Sequence, residues 1–322
     1  MSFAASVKDE LAGLALGSRC CLLAELAGVT LASGSMHLTS GGLQAEVATE
    51  SPVIARRVYK IIKALYGVRP TIEQHERKRL NRNMSYRVVM GGGEARRMLE
   101  DIGVLGEGGV TIGIKPGLVR LSCCEGSFLR GLFLGCGSMS DPGKSYHLEM
   151  VLEDEQLARA ASAILAGLEI NGRVTGRNGR HVVYVKEADH IASFLALTGA
   201  HGKMLRFEGV RVEKGVRNTV NRVVNCDTAN LDKAARASAR QVESILLLKK
   251  HGKLAGLPKG LRDAAEARLN HPDVTLDRLA ELLGDVSKSG LNHRFHRIAE
   301  LASDLRAGER LDDDTQNIEN QC

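Results

Sequence analysis

The sequence predicts an α+β region built from two pseudo-symmetric αββαββα repeats with antiparallel sheets, followed by an all-α helix-turn-helix domain. Three observations predict it. CCLLAELAGVTLASGSM (20–36) and CCEGSFLRGLFLGCGSM (123–139) align without a gap at an offset of 103, with eight identities in seventeen positions. A matching order of strand-like and helix-like runs follows each copy. Beyond residue 225 the pattern turns wholly helical and includes two short helices joined by a tight turn.

Both copies of the repeated segment carry small residues four apart, Gly28 and Ala32 in one, Gly131 and Gly135 in the other. That spacing lets two helix backbones approach closely, so the two helices are expected to pack on each other. Gly34 and Gly137 fit helix C-termini, where a left-handed residue is common. After the first copy, MHLTSGGLQAEVATES reads as two strands about Gly41-Gly42, and PVIARRVYKIIKALYG as a helix opened by Pro52 and closed by Gly67. RPTIEQHERKRLNRNMSYRVVM is a second hairpin and EARRMLEDIGVL a closing helix. After the second copy, KSYHLEMVL is a strand, EDEQLARAASAILAGLEI a helix, GRVTGRNGRHVVYVK a hairpin turning at Arg177-Asn178-Gly179, and ADHIASFLALTGA a helix. The expected units are 1–105 and 106–200 for the repeats, a linker at 201–225, a helix-turn-helix domain at 226–308 and a disordered acidic tail at 309–322.

Composition limits the function. With 43% hydrophobic residues the chain can bury real cores, and with no Trp and only 3% aromatics it lacks base-stacking platforms. Its net charge of +6, from 44 bases and 38 acids, favours a polyanion only mildly. No apolar run reaches the roughly 18 residues of a membrane span, and the N-terminal stretch does not read as a signal peptide. An odd count of seven cysteines suggests free thiols and a cytoplasmic protein. The adjacent pairs Cys20-Cys21 and Cys123-Cys124 lack the C-x₂-C spacing of zinc sites, so neither metal nor cofactor is expected.

The bases are not evenly spread. Residues 56–97 hold twelve Lys/Arg against three acids, and the run HERKRLNRN sits at the tip of the second hairpin. Arg77, Lys78, Arg79 and Arg82 are therefore candidates for DNA-backbone contact by a ribbon in the major groove. The competing reading is a solvated basic loop.

In the C-terminal third, CDTANLDKAARASARQVESILLLKKHG reads as a helix with Asp227 or Thr228 as N-cap and Gly252 as stop. LPKGLRDAAEARLNHP follows and breaks at Pro272. TLDRLAELLG (275–284) is a short helix capped by Thr275, and a turn leads into DVSKSGLNHRFHRIAELASDL (285–305), which Ser287 or Ser289 can cap. Leu276, Leu279, Leu282 and Leu283 share one face of the first, and Leu291, Phe295, Ile298 and Leu301 one face of the second. The outward face of the second then carries Lys288, Ser289, Asn292, His293, Arg294, His296 and Arg297, with no acid from Ser287 to Ala299. With Thr275 these are the candidate DNA-binding residues, because Asn and Arg suit adenine and guanine edges. An α-hairpin used only for packing would show the same apolar pattern.

The repeat resembles the LAGLIDADG homing endonucleases in their two-repeat form, over roughly residues 1–200. The resemblance implies signature helices at the interface between halves, saddle-shaped sheets over DNA, and a metal-binding acid at the foot of each helix. Those acids fall on Ser33 and Cys136 here. A neutral hydroxyl and a soft thiol do not replace carboxylates for Mg²⁺, so a nuclease scaffold without nuclease activity is expected. The alternatives are an endonuclease with relocated ligands, for which Asp141 or Glu25 is available, and a docking module that leaves DNA to the C-terminal domain. Asp141 reads as a turn residue before Pro142.

CCLLAELAGVTLASGSM, FLRGLFLGCGSMSDPGKSYHLE, NRVVNCDTANLDKAA and SKSGLNHRFHRIAELA together resemble the bacterial WhiA family along nearly the whole chain. The resemblance implies a monomeric, nucleoid-associated regulator of double-stranded DNA, with another transcription factor or RNA polymerase as a partner. It also implies a role in sporulation or in cell division and chromosome segregation of a Gram-positive bacterium.

Overall fold

The structure is a computed structural model. It describes residues 2–40, 42–76, 84–111 and 113–319, with 308–319 by backbone alone. The chain forms two compact units, Met1–Val216 and Arg217–Cys322.

The first unit contains both repeats. α2 (Arg19–Ser33), β1 (Gly34–Thr39), β2 (Gly42–Thr49), α3 (Pro52–Tyr66), β3 (Thr71–Glu76), β4 (Met84–Gly91) and α4 (Gly92–Asp101) make the first. α5 (Ser122–Cys136), β7 (Gly137–Met139), β8 (Leu148–Leu152), α6 (Glu155–Gly167), β9 (Arg173–Arg177), β10 (Arg180–Val185) and α7 (Ala188–Thr198) make the second. The sheets have the same order, β1-β2-β4-β3 and β7-β8-β10-β9, and every pairing is antiparallel. Local chemistry sets the boundaries. The Ser51 hydroxyl accepts from the Ile54 amide beside Pro52, and Gly67 ends α3 at φ 72°. Asn178 and Gly179 turn the β9–β10 hairpin with φ of 52° and 73°.

α2 and α5 pack along their glycines. A methyl group at Gly28 would overlap the Phe128 carbonyl oxygen, and one at Gly131 would overlap the Glu25 carbonyl oxygen. Gly34 and Gly137 follow the helices as expected but are not left-handed: their φ values are −87° and −77°. Space selects them instead, because a Cβ would strike Thr30 at the first and the Phe133 ring at the second.

Three elements were not anticipated. α1 (Phe3–Gly13) buries Phe3, Val7 and Leu11 against the repeats, and β5 (Leu105–Gly106) pairs with β6 (Gly109–Val110) between them. The expected linker is also corrected. α8 runs without a break from His201 to Lys250, so neither Asp227 nor Thr228 is an N-cap. The Glu10 carboxylate accepts from the Gly202 and Lys203 amides at 2.7 and 2.9 Å, which caps the true start. Phe207 then anchors α8 in the first unit against Phe3 and Tyr146.

The second unit continues α8 and adds α9 (Lys259–Asn270), α10 (Leu276–Leu283) and α11 (Lys288–Glu319). The tail expected to be disordered extends α11 to Glu319; it contains no proline, and propagating an established helix is far less costly than starting one. Ile245, Leu248, Ala264, Leu279, Leu291, Phe295 and Ile298 form this unit's core. Of the apolar stripe expected on α10, Leu279 is buried while Leu282 is 51% exposed.

Candidate nucleic-acid interface

α10 and α11 form the expected helix-turn-helix. The Thr275 hydroxyl accepts from the Arg278 amide, Gly284 ends α10 at φ 73°, and the Ser287 hydroxyl accepts from the Gly290 amide at 3.2 Å. Ser287, not Ser289, is therefore the capping side chain of α11. Leu291, Phe295 and Ile298 face the core, which turns Ser289, Asn292, His293, His296 and Arg297 to the surface. Lys288 and Arg297 are also exposed, in pairs with Asp277 at 2.7 Å and Glu300 at 2.8 Å. Exposed pairs of this kind contribute little, so either base can be handed to a phosphate at small cost.

Arg294 is placed differently. It is half-buried, and its guanidinium donates to the Gly260 carbonyl of α9 at 3.3 Å. In this arrangement it braces α11 against α9 instead of lying on the outward face. A second arginine, which no sequence pattern singles out, holds the same scaffold. Arg268 is 1% exposed, donates to Gln241 and to the Val274 carbonyl, and lies 5.5 Å from the Phe295 ring centroid. Burial holds its pKa down. It ties α8, α9 and the entry to α10 together. Its sequence signature is that of an ordinary surface base.

The positions where the resemblance puts acids lie at the adjoining C-terminal ends of α2 and α5. The Ser33 hydroxyl donates to the Val29 carbonyl at 3.1 Å, and the Cys136 thiol donates to the Leu132 carbonyl at 3.3 Å. Burial pushes the Cys136 thiol up to about 12, against the pull of Lys8, so it stays protonated near neutrality. Burial in turn lowers Lys8. Of the relocated acids, Glu25 is fully buried and saturated by Arg57 at 2.8 and 2.9 Å and by Arg130 at 2.8 Å. Asp141 accepts from the Gly143 amide at 2.8 Å, the turn role expected for it.

Arg77, Lys78, Arg79 and Arg82 lie outside the described residues. The basic segment 56–97 is less basic at the surface than its sequence indicates, because Arg57 is spent on Glu25. The cysteine pairs also behave differently in space than along the chain: the thiols of Cys20, Cys21 and Cys124 lie within 4.8 Å of one another. Among the described residues, no helix is long and apolar enough to cross a membrane.

Comparison with known proteins agrees with this architecture. Residues 19–105 match the family model of the WhiA N-terminal LAGLIDADG-like domain, 125–217 the WhiA LAGLIDADG-like domain, and 220–302 the WhiA C-terminal HTH domain. The chain is 44% identical over 310 residues to the probable cell division protein WhiA of Desulfitobacterium hafniense (strain Y51), covering 95% of this chain and 96% of that one. It is 39% identical over 315 residues to the probable cell division protein WhiA of Bacillus subtilis (strain 168), covering 97% and 99%. The crystal structure of full-length DUF199/WhiA from Thermatoga maritima superposes with a TM-score of 0.59 at 27% identity, covering 94% and 98%.

Proposed function

The chain belongs to the WhiA family, and we infer that it is a non-enzymatic, sequence-specific DNA-binding regulator. The observation that carries this reading is the exposed face of α11, where Ser289, Asn292, His293, His296 and Arg297 stand clear of the core on an acid-free stretch. A helix held by a tight turn, with its N-terminal side chains exposed, suits base-edge contact in the major groove. Lys288 adds a phosphate contact from the first turn, and Thr275 presents the start of α10. The hairpin bases Arg77, Lys78, Arg79 and Arg82 add further phosphate contacts that carry no sequence information.

The LAGLIDADG-like unit serves as a binding scaffold without nuclease chemistry. Strand cleavage needs metal at the attacking and leaving oxygens. Ser33 is neutral and back-bonded to its own helix, Cys136 is a protonated thiol, and Glu25 has no free oxygen to offer a metal. The names of the relatives support a place in cell division, and the family resemblance extends this to chromosome segregation or sporulation. The expected setting is the nucleoid, with a transcription factor or RNA polymerase as partner.

The test is supercoiled plasmid incubated with pure protein and Mg²⁺ at low salt, run on a gel before and after protein removal. Retardation that reverts to intact supercoil is expected. Nicked or linear DNA surviving protein removal overturns the non-enzymatic reading.

A further inference from the structure

α2 and α5 run parallel. Gly28 faces Phe128, Gly131 and Leu132, Gly131 faces Glu25 and Val29, and Gly135 faces Ala32. Both N-termini therefore lie at one end of the pair, opposite Ser33 and Cys136. Each terminus presents orphan N–H groups and a partial positive charge, and two such ends side by side repel. Asp, Ser or Thr caps commonly relieve this. Neither helix has one: Ser18 precedes α2 without a capping hydrogen bond, and Leu121 precedes α5. The first turns carry Cys20-Cys21 and Cys123-Cys124, the same positions in both repeats, and α5 has Glu125 beside its pair as the one acid of these turns.

The repeat folds these pairs together. Cys20 is exposed, Cys21 half-buried and Cys124 buried, with their sulfurs mutually within 4.8 Å. The exposed Cys123 adjoins both Cys21 and Cys124. We propose that Cys20, Cys21 and Cys124, with Cys123 as fourth ligand, bind a soft metal ion of the Zn²⁺ class at the junction of the two repeats.

The donor set fits the ion. Zn²⁺ takes tetrahedral thiolates at about 2.3 Å, which brings ligand sulfurs to about 3.8 Å of one another, so the sulfurs of Cys20, Cys21 and Cys124, already within 4.8 Å, need to close by about 1 Å or less, while the exposed Cys123 side chain, outside that group, has to swing further to join them. Each thiol that binds releases its proton to solvent, and the resulting negative charge falls where two helix ends supply positive charge. The Ser18 hydroxyl lies 3.2 Å from the Cys20 sulfur and can donate to the thiolate as an outer support. The absence of C-x₂-C spacing does not count against the site, because the two pairs come from different helices. Exposure of Cys20 and Cys123 gives the ion a way in. A metal here ties the first repeat to the second inside the LAGLIDADG-like unit, so its role is to hold the scaffold.

The test uses full-length protein, reduced and freed of metal by chelation, titrated with Co²⁺ and then with Zn²⁺ against a competing chromophoric chelator. Expected are one ion per chain, a thiolate-to-cobalt charge-transfer band displaced by Zn²⁺, and a Tm that rises with the metal. Cys20→Ser replaces an exposed residue and should fold; it weakens binding by at least about tenfold. A Cys21→Ser, Cys124→Ser double variant abolishes the band, whereas Cys226→Ser leaves it unchanged. Reduced, folded protein that holds no metal overturns the proposal. So does metal binding that survives the double variant, or a disulfide forming between the pairs while metal is present.

Discussion

Arg130 on α5 donates through Nε to Oε2 of Glu25 on α2 at 2.9 Å, an ion pair that joins the two repeats through the buried middle of the helix pair. Arg57 holds the same carboxylate from α3, and the Arg130 guanidinium also donates to the Thr198 carbonyl at 2.8 Å. One carboxylate thus pairs with two guanidiniums whose side chains are only 2% and 13% exposed. Removing it strands both. Glu25→Ala is expected to cost about 3–5 kcal/mol of unfolding free energy, the range for a buried pair broken on one side. Urea unfolding of the full chain measures it. A loss below about 1 kcal/mol would mean that water reaches both arginines.

Two helical glycines, one in the α2–α5 pair and one outside it, make a sharper prediction. Alanine is a better helix former than glycine by about 0.8–1 kcal/mol. Gly209 lies within α8, and a methyl group added there would meet nothing within 4 Å, so Gly209→Ala should stabilise by up to that amount. At Gly131 the methyl overlaps the Glu25 carbonyl and presses on the Val29 amide at 2.8 Å. Backbone cannot step aside as a side chain does, and overpacking costs about 1–3 kcal/mol or more. Gly131→Ala should therefore destabilise, with a Tm shift opposite in sign to that of Gly209→Ala.

These residues also mark what a sequence discloses. The repeat was legible because the spacing of small residues and the order of hairpins are local patterns, and the α10–α11 turn was legible because Thr275, Gly284 and Ser287 are local signals. Glu25, Arg57, Arg130 and Arg268 were not, since a charge paired across the fold has the same letter as a charge in water. Arg57 was counted with the surface bases for that reason. The first half of α8, read as a linker, escaped because Val212, Val216, Val220, Val223 and Val224 are all more than half exposed, which leaves that stretch without the one-sided burial that reveals amphipathic helices. The cysteines were judged by spacing along one segment, a rule that does not see two segments brought together by duplication.

Glu46 on β2 gives a pH dependence. Burial works against its ionised form, but the Ser35 hydroxyl donating at 2.8 Å and the Arg87 guanidinium at 3.8 Å outweigh it, with His37 adding to them, and hold the carboxyl below its ordinary value of 4.5. The unfolded chain then binds the proton more tightly than the folded one. The stabilisation is fully present above 4.5 and is lost as pH falls through the folded value below it. Glu46→Gln should remove this component, up to about 1 kcal/mol at neutral pH, and flatten the decline below 4.5. Parallel urea curves for the two proteins across the acid range provide the measurement; identical slopes would refute the assignment.

The reading face predicts a separation of effects along α11. Asn292 and Arg297 are exposed, so their alanine variants should fold normally and lose discrimination between a preferred site and a mutated one, by about 1–3 kcal/mol for a residue that makes a bidentate base contact. Arg294 braces α11 through the Gly260 carbonyl. Arg294→Ala should therefore lower the Tm and weaken binding to every sequence in the same proportion. Arg77→Ala with Arg79→Ala should also weaken all sequences alike but leave the Tm unchanged, and should reduce the slope of log affinity against log salt by about 2, close to 0.9 for each phosphate no longer neutralised. Competition binding at several salt concentrations, with a melting curve for each variant, distinguishes the three classes. If Arg294→Ala changes preference while its Tm stays fixed, its guanidinium leaves Gly260 on binding and belongs among the base contacts.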